Sequence, residues 1–224
     1  YPMKHTFVAK IVFLLFALAY LLGCNPTKKV PEGAYLLRKN TISVNDKKPK
    51  NANIYGYLRQ EPNSRLLGIP LGLLIYNLAD DHALENYQKW LVRHRFLDGF
   101  LSKKQTQRLG ESFLVSGKDR MLQRMGQAPV IIDTVETRKS AHTLHAYYNS
   151  VGYFNNIGHY EITPTDKEKQ ASVTYHIDRG RRYYIDSLDT QILSPEIDSL
   201  YKKHINERII KPRTFYRLEK FNSE

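Results

Sequence analysis

"QASVTYHID" (Gln170 to Asp178) has one reading as a strand. Ala171, Val173, Tyr175 and Ile177 alternate with Ser172, Thr174 and His176, the two-residue period of a sheet with one buried face. Just before it, "DKEK" makes a turn, and "NIGHYEITPT" (Asn156 to Thr165) is a second strand with Tyr160 and Ile162 on one side. The pair reads as a hairpin. Upstream, "TRKSAHTLHAYYNSVGYF" (Thr137 to Phe154) changes period: Ala141, Leu144, Tyr148 and Val151 recur at three and four, which predicts a helix. Gly152 is placed to end it, because glycine takes the left-handed conformation at little cost. "PVIIDTV", from Pro129, is a short apolar strand or a lead-in.

Further out the pattern loosens. "YLLRKNTISVN" (Tyr35 to Asn45) reads as a strand, with Ile42 and Val44 alternating with Thr41 and Ser43, and "NDKKPKN" closes it. "ANIYGYLRQ" (Ala52 to Gln60) predicts a short helix with Ile54, Tyr57 and Leu58 on one face, weakened by Gly56 and stopped by Pro62. "SRLLGIPLGLLIYNLA" (Ser64 to Ala79) is apolar but interrupted by Gly68, Pro70 and Gly72, and falls short of the ~20 residues a spanning helix needs. Two readings stay open for it: core packing, or a segment resting on a membrane leaflet with Arg65 at its edge. Leu84 to Arg108 predicts one or two amphipathic helices, from Tyr87, Trp90, Leu91, Leu97 and Leu101. No element is assigned to Gly110 to Gln127. At the other end, "RGRRYYIDSLDTQI" (Arg179 to Ile192) starts a strand. "SPEIDSLYKKHI" is a helix with Ser194 as N-cap, Pro195 in the first turn, and Ile197, Leu200 and Tyr201 on one face. "RTFYRLEKFNSE" begins another helix, and the chain reads as a fragment that stops within a domain.

The N-terminal region has a different logic. Lys4 and Lys10 precede thirteen residues, Ile11 to Gly23, that form a signal-length apolar run. Cys24, the single cysteine, closes it, so no internal disulfide can form. "Leu21-Leu22-Gly23-Cys24" resembles the bacterial lipobox. That resemblance implies cleavage before Cys24 and a lipid on its sulfur, with more than one acyl chain giving firm membrane attachment. Asn25 in place of Asp leans toward the outer membrane. "NPTKKVPEG" (Asn25 to Gly33) reads as a tether.

The 224 residues, 42% of them hydrophobic and 25% charged, suffice for one large domain or two small ones. The net charge of +12 falls to about +10 without Lys4 and Lys10. It suits anionic lipid as well as nucleic acid, and the cations are spread along the chain. Lys47-Lys48-Pro49-Lys50 and Lys118 to Arg124 are locally dense. A solvated basic surface is the preferred reading, with no nucleic acid as partner. His142 and His145, with His159 and His176, admit a metal site on paper, but no HExxH spacing and no cysteine assist them, and neither metal nor cofactor is expected. Asp80-Asp81-His82 reads as the cap of the helix near Leu84. GxSxG, P-loop and GxGxxG patterns are missing, so no catalytic residue is assigned.

"LLRKNTISVN" (Leu36 to Asn45), Pro62-Asn63 before "LLGIPLGLLIYN", Gly152-Tyr153-Phe154 and "VTYHIDRGRRYYIDSL" (Val173 to Leu188) resemble, in their order, POTRA domains. These are the β-α-α-β-β periplasmic modules that precede the barrel in the BamA and TamA family. With the lipobox, the whole resembles the lipid-anchored, TamL-like branch of that family. The resemblance implies an α+β fold, a small mixed sheet with helices on one face. It implies a signal peptide at 1–23, a lipidated tether at 24–34, a first POTRA-like domain at 35–178 with an insertion near 64–127, and the start of a second at 179–224. It implies a non-enzymatic scaffold on the periplasmic side of the bacterial outer membrane, serving outer-membrane protein clients or assembly partners. In the family the second strand of the sheet is an edge. Here that makes Ile157, His159, Tyr160, Glu161, Ile162 and Thr163 the candidate partner-binding edge. A lipid-anchored periplasmic enzyme, or a lipoprotein binding lipid or cell wall, is the competing reading.

Overall fold

The computed structural model describes residues 25–94 and 102–223. The chain forms two compact units and passes between them several times.

One unit gathers the described residues of Lys39–Glu61, Ile132–Thr163 and Ala171–Glu224. Its centre is β3 (Gln170–Asp178), flanked by β1 (Leu36–Val44) and β2 (Ile157–Pro164) in the order β1-β3-β2. The Leu36 N–H donates to the Lys169 carbonyl and the Asn45 N–H to the Ile177 carbonyl, so β1 and β3 run parallel. The turn at 166–169 closes β2 onto β3 antiparallel, with the Thr165 N–H on the Gln170 carbonyl. On the inward face Ala171, Val173, Tyr175 and Ile177 are all buried, as the alternation requires. Each large apolar side chain so buried contributes roughly 1.5–3 kcal/mol. This is the mixed sheet that the POTRA resemblance implies, with the third strand central and the second at an edge.

Helix α5 (Thr134–Ser150) covers that face. Asp133 starts it by accepting the Val135 and Glu136 N–H groups. Its buried stripe is Thr137, Ser140, Leu144 and Tyr148, spaced three and four apart but polar in its first half. Apolar periodicity alone points to Ala141, which is only half-buried. The Tyr175 hydroxyl bonds with Ser140 and Thr137, and the Ser140 hydroxyl also accepts the Arg59 N–H at 2.9 Å. Burial raises the Tyr175 phenol, with those two hydrogen bonds pulling the other way. The predicted short helix at Ala52 is a 3-10 turn (Ala52–Tyr57) that buries Ile54 and packs Tyr57 against Tyr147 with ring centroids 4.8 Å apart.

At Gly152, φ is +92°, and a Cβ there would meet the Tyr216 and Tyr183 carbonyl oxygens at 3.0 and 3.2 Å. The stop at this glycine is therefore also a close approach. After β3, the strand expected from Arg179 is reduced to β4 (Tyr184–Ile185), paired with β5 (Thr214–Phe215). Arg179 and Arg182 before it lie over aromatic rings instead. Helix α6 (Pro195–Lys203) has Ser194 capping the Ile197 N–H, and α7 (Leu218–Ser223) follows β5. Ile197 and Leu200, expected on one face of this helix, are about 60% exposed.

The other unit gathers the described residues of Tyr1–Arg38, Pro62–Ile131 and Pro164–Gln170. It is helical: α1 (Leu71–Leu78), α2 (Ala83–Arg93), α3 (Lys103–Glu111), a π turn (Phe113–Gly117) and α4 (Lys118–Met125). The stretch left unassigned is thus ordered. Gly126 lets the end of α4 cross α1, since a Cβ there would stand 2.5 Å from the Tyr76 nitrogen. Asp80 accepts the His82 N–H and the Asn86 side-chain amide ahead of α2, and the His82 N–H is the main reason its carboxyl lies below the usual range. Leu97 and Leu101 lie outside the described residues. Leu73 and Leu74 of α1 are buried, which favours core packing for that helix, whereas Leu66 and Leu67 ahead of it are exposed. No helix among the described residues is long and apolar enough to cross a membrane.

The stretch read as a tether is docked. Val30 joins Leu36 and Leu73 in a buried cluster, and the Asn77 side-chain amide donates to the carbonyls of Asn25 and Pro26. Val30 burial and the Asn77 amide bonds together seat it. Cys24 and the apolar run before it lie outside the described residues.

Candidate partner-binding edge

The two outer strands of the sheet end differently. Along β1, the Leu37 N–H donates to the Val130 carbonyl and Leu36 bridges Ile131. Farther along, the Ile42 N–H donates to the Tyr55 hydroxyl at 3.4 Å. The free side of β1 is thereby capped at both places. Among the described residues, no strand or loop pairs with the far side of β2.

The hairpin register fixes which groups of β2 face outward. With Thr165 and Gln170 as a hydrogen-bonded pair, alternation makes His159–His176, Glu161–Thr174 and Thr163–Ser172 bonded pairs too. The N–H and C=O of Gly158, Tyr160 and Ile162 then point away from β3. Pro164 occupies the next outward position, where its missing N–H costs no ladder bond.

The side chains follow the same alternation. Tyr160 and Ile162 are half-buried and lie on the face that α5 covers, while Ile157, His159, Glu161 and Thr163 are exposed. The His159 and His176 rings stack at 4.9 Å, and Glu161 stands 4.0 Å from His176. His142 and His145 lie on α5, where they line a groove of about 410 Å³ with Arg138, Gly158, His159 and Tyr160. Among the described residues no three His, Cys, Asp or Glu side chains are grouped to hold a metal. The groove therefore presents a run of backbone donors and acceptors with a shelf of helix beside it. That arrangement can accept an extended chain as a fourth strand.

No family model matches this chain, and no curated protein matches it. Among solved structures, the chain is similar to the crystal structure of Haemophilus influenzae BamA POTRA3-5. The likeness covers 87% of this chain and 85% of that one, at 14% identity and a TM-score of 0.28.

A second hollow in the same unit was not legible as a site. It lies where the Lys47–Lys50 turn, the end of α5 and the segment after β3 meet, with Tyr147, Tyr148 and Tyr153 in its wall. Burial pushes the Tyr148 phenol up to about 12, with the Arg179 charge pulling it down. Only the lysine run announced this place; the arginines opposite stand more than a hundred residues away in sequence.

Proposed function

We propose that this chain is the periplasmic scaffold portion of an outer-membrane protein assembly factor. It binds extended client or partner segments by adding them to β2, and a lipid on Cys24 anchors it. One observation carries the reading: β2 is an unpaired edge beside a helical groove, while the opposite edge is capped by Tyr55 and by residues 130–131. The POTRA resemblance of the sequence and the lipobox-like end of the apolar run support it.

The test uses a synthetic strand of alternating apolar and polar residues, imitating an outer-membrane strand. Amide exchange is followed by NMR. Binding protects the outward N–H groups of Gly158, Tyr160 and Ile162 and leaves β1 unchanged. Gly158→Pro removes one outward donor without touching the bonds to β3 and weakens binding. Gly158→Ala keeps the donor and binds as the parent does. Protection along β1, or equal binding by both variants, would refute edge pairing. Mass spectrometry of the mature N-terminus tests the anchor: acylated Cys24 is expected, and an intact apolar run would remove that part of the reading.

A further inference from the structure

The hollow beside Tyr153, of about 660 Å³, is lined by Lys47, Lys48, Lys50, Arg179, Arg182 and Arg217, and by no carboxylate. Its position is set by local geometry. Asn45 and Asp46 both take positive φ, at 50° and 59°, and the Val44 and Lys47 backbones bond to each other across them. This tight turn throws the three lysines to one side. The Asn45 side chain then accepts the Arg179 N–H at 3.1 Å, fixing the opposite wall.

The two inner arginines share one ring. The guanidinium carbons of Arg179 and Arg182 lie 5.1 and 5.6 Å from the Tyr153 centroid. Arg182 also covers Phe215 at 4.4 Å and donates its Nε to the Val151 carbonyl. Arg179 bonds the Tyr153 hydroxyl, and its Nε is buried with no protein acceptor. Among the described residues, none of the six cations forms an ion pair. The carboxylates nearest in sequence, Asp46 and Asp178, line a different hollow beside His159 and His176.

Holding like charges on one aromatic ring costs repulsion, which a bound anion relieves. Planar guanidinium forks on the floor with ammonium groups at the rim match phosphate oxygens, and the number of cations calls for more than one phosphate. We propose that this cleft binds a multiply phosphorylated group. Such a group is carried either by a lipid headgroup or by a free phosphate ester.

The probe is sodium tripolyphosphate, titrated calorimetrically into the full chain at physiological salt. Saturable binding is expected. Lys47→Gln/Lys48→Gln/Lys50→Gln changes only exposed residues and should weaken binding about tenfold or more, because three charges leave the rim. Arg179→Gln should do the same. Lys103→Gln/Lys104→Gln/Arg124→Gln removes equal charge from exposed residues of α3 and α4 that do not line the hollow and should bind within about twofold of the parent, since it lowers net charge alone and exposed charges are screened. If phosphatidylcholine vesicles carrying phosphatidylinositol 4,5-bisphosphate displace the probe and plain phosphatidylcholine vesicles do not, the source is a lipid headgroup. If neither does, it is a free phosphate ester. No saturable binding, equal loss in the α3 and α4 variant, or equally tight binding of a polyglutamate peptide would overturn the proposal.

Discussion

Gly152 does two jobs with one missing side chain. It ends α5 in a conformation that costs other residues about 1–2 kcal/mol, and it lets two carbonyl oxygens approach within 3.2 Å of where a Cβ would sit. Gly152→Ala should therefore destabilise the protein by about 2–4 kcal/mol, more than the dihedral alone explains. Urea denaturation measures it, and a loss of only about 1–2 kcal/mol, the dihedral's share, would show that the two carbonyls yield freely. The tyrosines nearby make a prediction about alkali. Tyr148 is 6% exposed, and its phenol is raised from 10 to about 12 chiefly by burial, so the unfolded chain ionises first. Stability from this group is complete below pH 10 and is lost as pH climbs from 10 toward about 12. The shift corresponds to a loss on the order of 2 kcal/mol. Tyr175 acts in the same direction, so Tyr148→Phe should shrink the alkaline fall in urea midpoint without abolishing it.

Among elements, those with a clear local period or turn signal were legible, β1 among them although its partner β3 is distant in sequence, and features defined only by distant contacts were not. β3, its hairpin and α5 were readable because period and turn chemistry are local properties. The polar half of the α5 stripe was not, since Thr137 and Ser140 become core residues only when Tyr175 supplies a hydroxyl to bond. The crossing of α4 over α1 depends on Gly126 passing Tyr76, which no local pattern records. The edge character of β2 was expected from the family resemblance, whereas the capping of β1 by the Tyr55 hydroxyl had no signal in sequence. The same contrast predicts dynamics. α2 and α6 bury no residue, while β3 is buried on alternate positions along its length. Hydrogen exchange followed by mass spectrometry should show α2 and α6 exchanging through local opening, and β3 exchanging last, near the global unfolding limit. Protection of α6 equal to that of β3 would mean that self-association covers Ile197 and Leu200 in solution.

For the whole molecule, the stretch after Cys24 matters most, because it determines how a membrane anchor would act. Asn25 to Val30 does not hang free. The Asn77 amide donates to the Asn25 carbonyl at 3.2 Å and the Pro26 carbonyl at 3.0 Å, the Lys28 ammonium donates to the Asn77 carbonyl, and Lys29 pairs with Asp81. A lipid on Cys24 would then hold the helical unit directly, with almost no leash. Two of these bonds come from the Asn77 side chain. Asn77→Asp replaces the amide donor with an oxygen that faces two carbonyls, so acceptor meets acceptor, in a position only 3% exposed. The change should cost about 1–3 kcal/mol. The loss should be concentrated at residues 25–34, where the Val30 N–H, now bonded to the Thr27 carbonyl, should lose protection first. Asn77→Ala removes the donor without adding repulsion and should loosen the segment less. Hydrogen exchange of the peptide covering 25–34 separates the two variants. If both leave its protection unchanged, Val30 burial alone seats the segment, and its docking survives loss of these hydrogen bonds.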